Sequence, residues 1–163
     1  MSKRKNKLPK TLVEKILDRA KIPYEQLEFT LGQSHEADVA QLIYKTLVLH
    51  GEKTGPLVGV IPISAHLDER KLATISGNKR VRMLPQKELE QTTGYVHGAN
   101  TPIGIYEQHH FPIYIDTEAL EHPTMTVSAG KLGRSIQLRP QDLITFVHAT
   151  VTDLTVDTEE LNQ

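Results

Sequence analysis

The chain has 163 residues, with 19 Lys and Arg against 20 Asp and Glu, no Cys and no Trp. That length suits one domain with a sizeable core, and a net charge of −1 excludes a surface coated throughout for nucleic acid. Without Cys there are no disulfides, thiolate metal sites or Cys nucleophile, and an aromatic content of 5% leaves no base-stacking sheet of the RRM kind.

No apolar run approaches the roughly 18 residues of a membrane span. The basic first ten residues lead into no apolar signal segment. The expected compartment is the cytoplasm. Residues 1–10 carry Lys3, Arg4, Lys5, Lys7 and Lys10 and no acid, whereas residues 153–163 carry Asp153, Asp157, Glu159 and Glu160 and no base. Both ends read as solvated tails, and the basic arm is also a candidate for salt-sensitive contact with the phosphates of a nucleic acid.

In chain order, Thr11 and Glu14 have capping-box spacing, and Leu12, Val13, Ile16, Leu17 and Ala20 follow at helical intervals. This predicts a helix over about 11–21, ended by Pro23. A short strand over Tyr24–Phe29 follows. Ser34 is placed to cap a second helix, with Glu36 and Asp38 in its first turn and Ile43 on its buried side. Tyr44–His50 and Leu57–Ile63, joined by a turn at 51–55, read as a hairpin whose apolar run implies a sheet covered on both faces.

Asp68 caps a helix that Gly77 stops. Lys79–Leu84 is a strand with outward charge at Lys79, Arg80 and Arg82. Pro85 opens a helix to about residue 92. Residues 94–104, with Gly94, Gly98, Pro102 and Gly104, read as a loop. Short strands near Phe111–Ile115, Thr124–Val127 and Ser135–Leu138 precede a helix from Pro140 and a closing strand near Thr150–Thr155. The pattern is one mixed α+β domain without repeats or linkers.

Three segments carry candidate chemistry. Lys45 lies in an apolar strand, where strand alternation puts it on the face of Leu47 and Leu49. A lysine there must reach solvent, a cleft or an anion, or lay its stem over apolar neighbours. The segment Gly98-Ala99-Asn100-Thr101-Pro102-Ile103-Gly104 lets backbone amides approach a ligand and stabilise developing negative charge, or is simply a tight loop. Ser128-Ala129-Gly130-Lys131 reads as a small-residue turn that matches neither a nucleophile elbow nor a P-loop. The eight histidines show no ligand spacing, so no metal site is expected. His97, beside Gly98, is the one placed to form a pocket wall.

The three segments occur together: Tyr44-Lys45-Thr46-Leu47-Val48-Leu49, then Thr93-Gly94-Tyr95-Val96-His97-Gly98-Ala99-Asn100-Thr101-Pro102-Ile103-Gly104, then Val127-Ser128-Ala129-Gly130-Lys131. In this combination the chain resembles the YbaK/EbsC family, relatives of the editing insertion of bacterial prolyl-tRNA synthetases, and most closely its Cys-tRNA(Pro) deacylase type. The likeness runs from about residue 11 to 155, between a basic arm (1–10) expected to be flexible and an acidic tail (156–163).

The resemblance implies an α+β fold: a single domain with a curved mixed β-sheet, partly barrel-like, and helices packed outside. It implies a trans-editing deacylase that removes the wrong amino acid from mischarged tRNA, first of all Cys from Cys-tRNA(Pro), by substrate-assisted ester cleavage. Ala-tRNA(Pro) deacylation and a non-catalytic tRNA-binding or regulatory role are the alternatives. The implied partners are aminoacylated tRNA(Pro) and prolyl-tRNA synthetase, with no cofactor and no metal. By the same resemblance Lys45 and Gly98 are the catalytic positions. Thr46, Pro102 and Ser128 match its pocket positions, and His97, Ala99 and Thr101 of the same loop are expected to contact substrate with them; from its charge, the arm at Lys3, Arg4, Lys5, Lys7 and Lys10 is expected to reach the tRNA backbone. The chain departs from the family at Phe29-Thr30-Leu31, at Ala99 and at Arg134-Ser135.

Overall fold

A computed structural model of the chain describes residues 8–28 and 43–157. The expected helix from Ser34, the departure at Phe29-Thr30-Leu31, the basic residues Lys3, Arg4, Lys5 and Lys7, and the acids Glu159 and Glu160 lie outside the described residues.

Helix α1 spans Leu12–Arg19 and opens with the expected capping box: Thr11 Oγ1 accepts from the Glu14 N–H and Glu14 Oε1 from the Thr11 N–H. Such a cap stabilises a helix by about 1 kcal/mol. The helix closes before Pro23. The Ile22 N–H reaches back to the Leu17 carbonyl, and Lys21 turns the chain with φ 62°. Strand β1 (Glu25–Glu28) follows.

The predicted hairpin is β2 (Tyr44–Gly51) with β3 (Gly55–Pro62), paired from Tyr44↔Pro62 to Gly51↔Gly55. Helix α2 (Glu69–Ser76) has Asp68 as its cap and a left-handed Gly77 as its stop. Strand β4 (Val81–Met83) returns along β2, and helix α3 (Gln86–Thr93) follows Pro85. Helix α4 covers Pro102–His109. The predicted glycine loop therefore ends at Thr101, whose hydroxyl accepts from the Gly104 N–H, and Pro102 takes the first helical position. The helix escapes pattern reading because Pro102, Ile103, Gly104 and Ile105 are all buried, which leaves no polar face to mark a period. Its close approach to the Tyr95 hydroxyl requires Gly104, where a Cβ would collide.

Strand β5 (Ile113–Asp116) leads through a 3₁₀ turn (Thr117–Glu121) to β6 (Met125–Lys131), β7 (Arg134–Leu138), α5 (Pro140–Phe146) and β8 (Thr150–Thr152). The predicted turn at 128–131 is thus the end of β6, and the reversal falls at Leu132-Gly133.

The α+β architecture with helices outside is the one expected. The curved sheet is divided in two: an antiparallel sheet in the order β1-β7-β6 and a mixed sheet in the order β4-β2-β3-β5-β8. They touch at the Ile43↔Thr126 bridge and do not close into a barrel. The division has a local cause, since the β6–β7 register shifts between Ser128 and Lys131 and such a bulge bends its strand away from a neighbour.

The five-stranded sheet is covered on both faces, as its apolar strands imply. Tyr44, Val48, Val58 and Val60 face the main core with α1, α4 and the smaller sheet. Leu49, Leu57 and Ile61 face a second core with Leu72 and Ala73 of α2. At the chain ends, Leu8 is bonded to Gln26, and the Val156 N–H to the His66 carbonyl. No helix among the described residues is long and apolar enough to cross a membrane.

Candidate active site

Where the two sheets separate, a cleft of about 700 Å³ opens. One wall is β2 from Ile43 to Val48; the opposite wall is the loop at His97, Gly98 and Asn100 with the β6–β7 turn. The cleft follows the edge of β2. Pro56 and Pro62 stand opposite His50 and Tyr44. Proline has no N–H, so the even-numbered residues of β2 turn their backbone groups away from β3. On that outer edge the Leu84 N–H bonds the Val48 carbonyl at 3.2 Å, and β4 pairs only with Leu49–Gly51. The Thr46 N–H and C=O therefore point out from an edge that no described strand covers. The Thr46 hydroxyl also lacks a hydrogen-bond partner among the described residues although it is buried.

Lys45 lines the cleft from the β2 face that carries Leu47 and Leu49, opposite Ile61. It is half-buried, and no carboxylate among the described residues pairs with it. Burial lowers its pKa from the ordinary 10.5, because desolvation disfavours the charged form. Tyr44 contributes a buried phenol without a partner among the described residues. Burial, then the carboxylates of Glu118, Asp116 and Glu121, push its pKa up, so it remains a neutral hydroxyl.

The loop wall is fixed by polar ties from behind. Asn100 Oδ1 accepts from the Thr93 hydroxyl at 2.7 Å. Ser128 Oγ donates to the Ala99 carbonyl at 3.0 Å and accepts from the Gly130 N–H at 3.1 Å. Gly98 has φ +89°, and a Cβ there would stand 3.1 Å from Leu132 Cδ2. The Ala99 N–H is used within the loop, bonded to the Val96 carbonyl at 2.9 Å. The left-handed glycine brings the loop backbone to the cleft wall.

Of the residues singled out from sequence, Lys45, Thr46, His97, Gly98 and Ser128 come together around the cleft. Ala99, Thr101 and Pro102 do not line it. The Ala99 side chain is buried, Thr101 caps α4 and Pro102 starts it. They hold the loop in shape from the core side. Lys10, the one basic arm residue within the described part, forms an ion pair with Asp18 of α1.

Sequence reasoning missed the role of Arg134. It lines the cleft, donates Nη2 to Glu14 Oε2 at 2.7 Å and Nη1 to the Pro9 carbonyl at 2.9 Å, and leaves its buried Nε without a partner. Glu14 is fully buried, so this pair ties α1, the incoming chain and the cleft wall together. No local pattern signals a contact between residues 120 positions apart. Among the described residues no hydroxyl of the cleft, at Tyr44, Thr46, Ser128 or Ser135, is bonded to a histidine or carboxylate, so these residues form no activated oxygen nucleophile of the triad type. Among the described residues no group of three His, Asp or Glu is placed to hold a metal ion.

The profile of the aminoacyl-tRNA editing domain matches residues 30–146. The chain is 40% identical over 164 aligned positions, covering 95% of this chain and 98% of the relative, to the Enterococcus faecalis protein named "Putative Cys-tRNA(Pro)/Cys-tRNA(Cys) deacylase EbsC". It is 28% identical to YwhH of Bacillus subtilis, over 78% of this chain and 81% of that protein. Among solved structures, one described as "a putative trans-editing enzyme for prolyl tRNA synthetase" superposes with a TM-score of 0.72 at 25% identity, over 82% of this chain and 87% of that one.

Proposed function

The chain belongs to the aminoacyl-tRNA editing domain family, and from that premise we propose that it is a trans-editing deacylase acting on Cys-tRNA(Pro). The observation that carries the reading is the composition of the cleft. A half-buried cation at Lys45, a hydroxyl at Thr46 without a partner among the described residues and the glycine backbone at Gly98 line one space, with no triad-type nucleophile beside them among the described residues. Such a site can orient an ester and stabilise an oxyanion. In this reading the attacking group comes from the substrate or from water.

For a cysteinyl ester the substrate supplies it. The side-chain sulfur attacks its own carbonyl carbon, a C–S bond forms, and the bond from that carbon to the ribose oxygen breaks. The thiol proton ends on the ribose hydroxyl, and the amino acid leaves as a cyclic thioester that water opens. Confinement in a shaped cleft favours this closure, since well-oriented intramolecular reactions reach effective concentrations of about 10⁵–10⁸ M. Lys45 acts as a cation toward the carbonyl or the adjacent phosphate and not as a base. The basic arm, Lys3, Arg4, Lys5, Lys7 and Lys10, adds phosphate contacts, and prolyl-tRNA synthetase is the partner that would deliver the tRNA.

The test compares ester loss from Cys-tRNA(Pro), S-methylcysteinyl-tRNA(Pro), Ala-tRNA(Pro) and Pro-tRNA(Pro). Acceleration for the first alone supports the thiol route. Equal cleavage of the S-methyl or alanyl ester refutes it and assigns a water nucleophile. No acceleration for any ester refutes the deacylase reading.

A further inference from the structure

From 79 to 87 the chain carries Lys79, Arg80, Arg82 and Lys87 and no acid, on a protein whose net charge is −1. All four are exposed. None takes part in an ion pair among the described residues. The fold gains nothing from this grouping. The four side chains build no core and neutralise no carboxylate among the described residues, and like charges so close repel one another. Glu52 accepts from the Lys79 backbone N–H at the far end of the run, so the uncompensated part is Arg80, Arg82 and Lys87.

The run is also placed against the site. Arg82 pairs with His50 and Met83 with Leu49, so β4 continues the strand edge on which Thr46 lies. Met83, Leu84 and Gln86 of the same segment line the cleft. The basic residues thus belong to the segment that forms one rim of the cleft, although none of the four lines it.

We infer that the β4–α3 segment is the seat of the RNA phosphate backbone, with Arg80, Arg82 and Lys87 as its contacts. The inference rests on the reading of the cleft as the site of an aminoacyl ester. An aminoacyl group in the cleft is joined through its ribose to a chain of phosphates, and one cation per phosphate along the rim neutralises those leading into the site. Contacts of this kind hold the backbone irrespective of sequence, and their signature is salt dependence.

The experiment uses the full chain and the variant Arg80→Gln/Arg82→Gln/Lys87→Gln. Binding of uncharged tRNA is measured across a salt series, and turnover is measured on mischarged tRNA and on the same aminoacyl ester of adenosine, which has no phosphate. The expected result is a tRNA affinity at least tenfold weaker at 0.1 M salt, with the slope of log K against log salt reduced by about 2–3. KM for the charged tRNA rises in step while kcat and cleavage of the adenosine ester stay unchanged.

Arg80→Lys/Arg82→Lys retains the slope, since an ammonium serves as a phosphate point charge. Lys87→Gln alone lowers it by about 1. Unchanged affinity and slope in a folded triple variant overturn the inference. Wild-type protein that binds tRNA through these residues but cleaves no ester refutes the deacylase reading and leaves this one standing.

Discussion

Replacing Lys45 separates its cost to the fold from the role proposed for it in activity. Its ammonium is half-buried and pairs with no carboxylate among the described residues, and its pKa is lowered by desolvation. The sign of the stability effect follows from that shift. Between the folded and unfolded pKa values the unfolded chain binds more protons, so stability rises with pH there. At neutral pH the charged lysine is therefore a cost to the fold. Lys45→Met, which keeps most of the stem beside Leu47 and Ile61, should leave the melting temperature unchanged or higher.

Activity should respond in the opposite direction. A charge-assisted hydrogen bond is worth about 1.5–3 kcal/mol, roughly ten- to a hundredfold in rate. Lys45→Met and Lys45→Ala should both lose that much of the acceleration over buffer, measured as ester loss from mischarged tRNA. Lys45→Arg keeps the charge but presents a larger planar group, and the cleft should reject it. The acceleration by wild-type protein should fall as pH rises through the lowered Lys45 pKa, below 10.5. Near-full activity in the Met variant with an unchanged melting temperature would remove the cation from the mechanism.

Gly98→Ala combines a left-handed φ with a Cβ 3.1 Å from Leu132, so it should displace the loop backbone and lower kcat more than it raises KM, read from initial rates on the same ester. Ser128→Ala leaves the Ala99 carbonyl and the Gly130 N–H without their shared hydroxyl. A loss of about 1–3 kcal/mol in denaturant unfolding, together with reduced kcat, is the expected result. Glu14→Gln breaks the buried pair with Arg134. Removing one partner of such a pair costs about 3–5 kcal/mol, which a melting curve would show as a drop of many degrees.

Much of this protein is written locally. The Thr11–Glu14 box, the Asp68 cap with the Gly77 stop, and the hairpin from Tyr44 to Pro62 each depend on residues within a turn or on neighbouring strands. Their chemistry is complete in a short window, so they can be read from the chain directly. The same holds for the face assigned to Lys45, since a strand alternates wherever it is placed. Helix α4 was missed because its first turn is buried all round, which erases the period that marks a helix.

The cleft was decided by tertiary structure. Lys45, Gly98 and Ser128 share one space only because two sheets part beyond the Ile43↔Thr126 bridge. Ala99, Thr101 and Pro102 carry the same motif as Gly98 yet face the core, because the loop is held from behind through Ser128 and Asn100. Arg134 enters the cleft wall through a partner 120 residues away. Contacts over such separations arise from packing of whole elements, and no pattern within one element encodes which of its residues will meet a surface brought in from elsewhere in the chain.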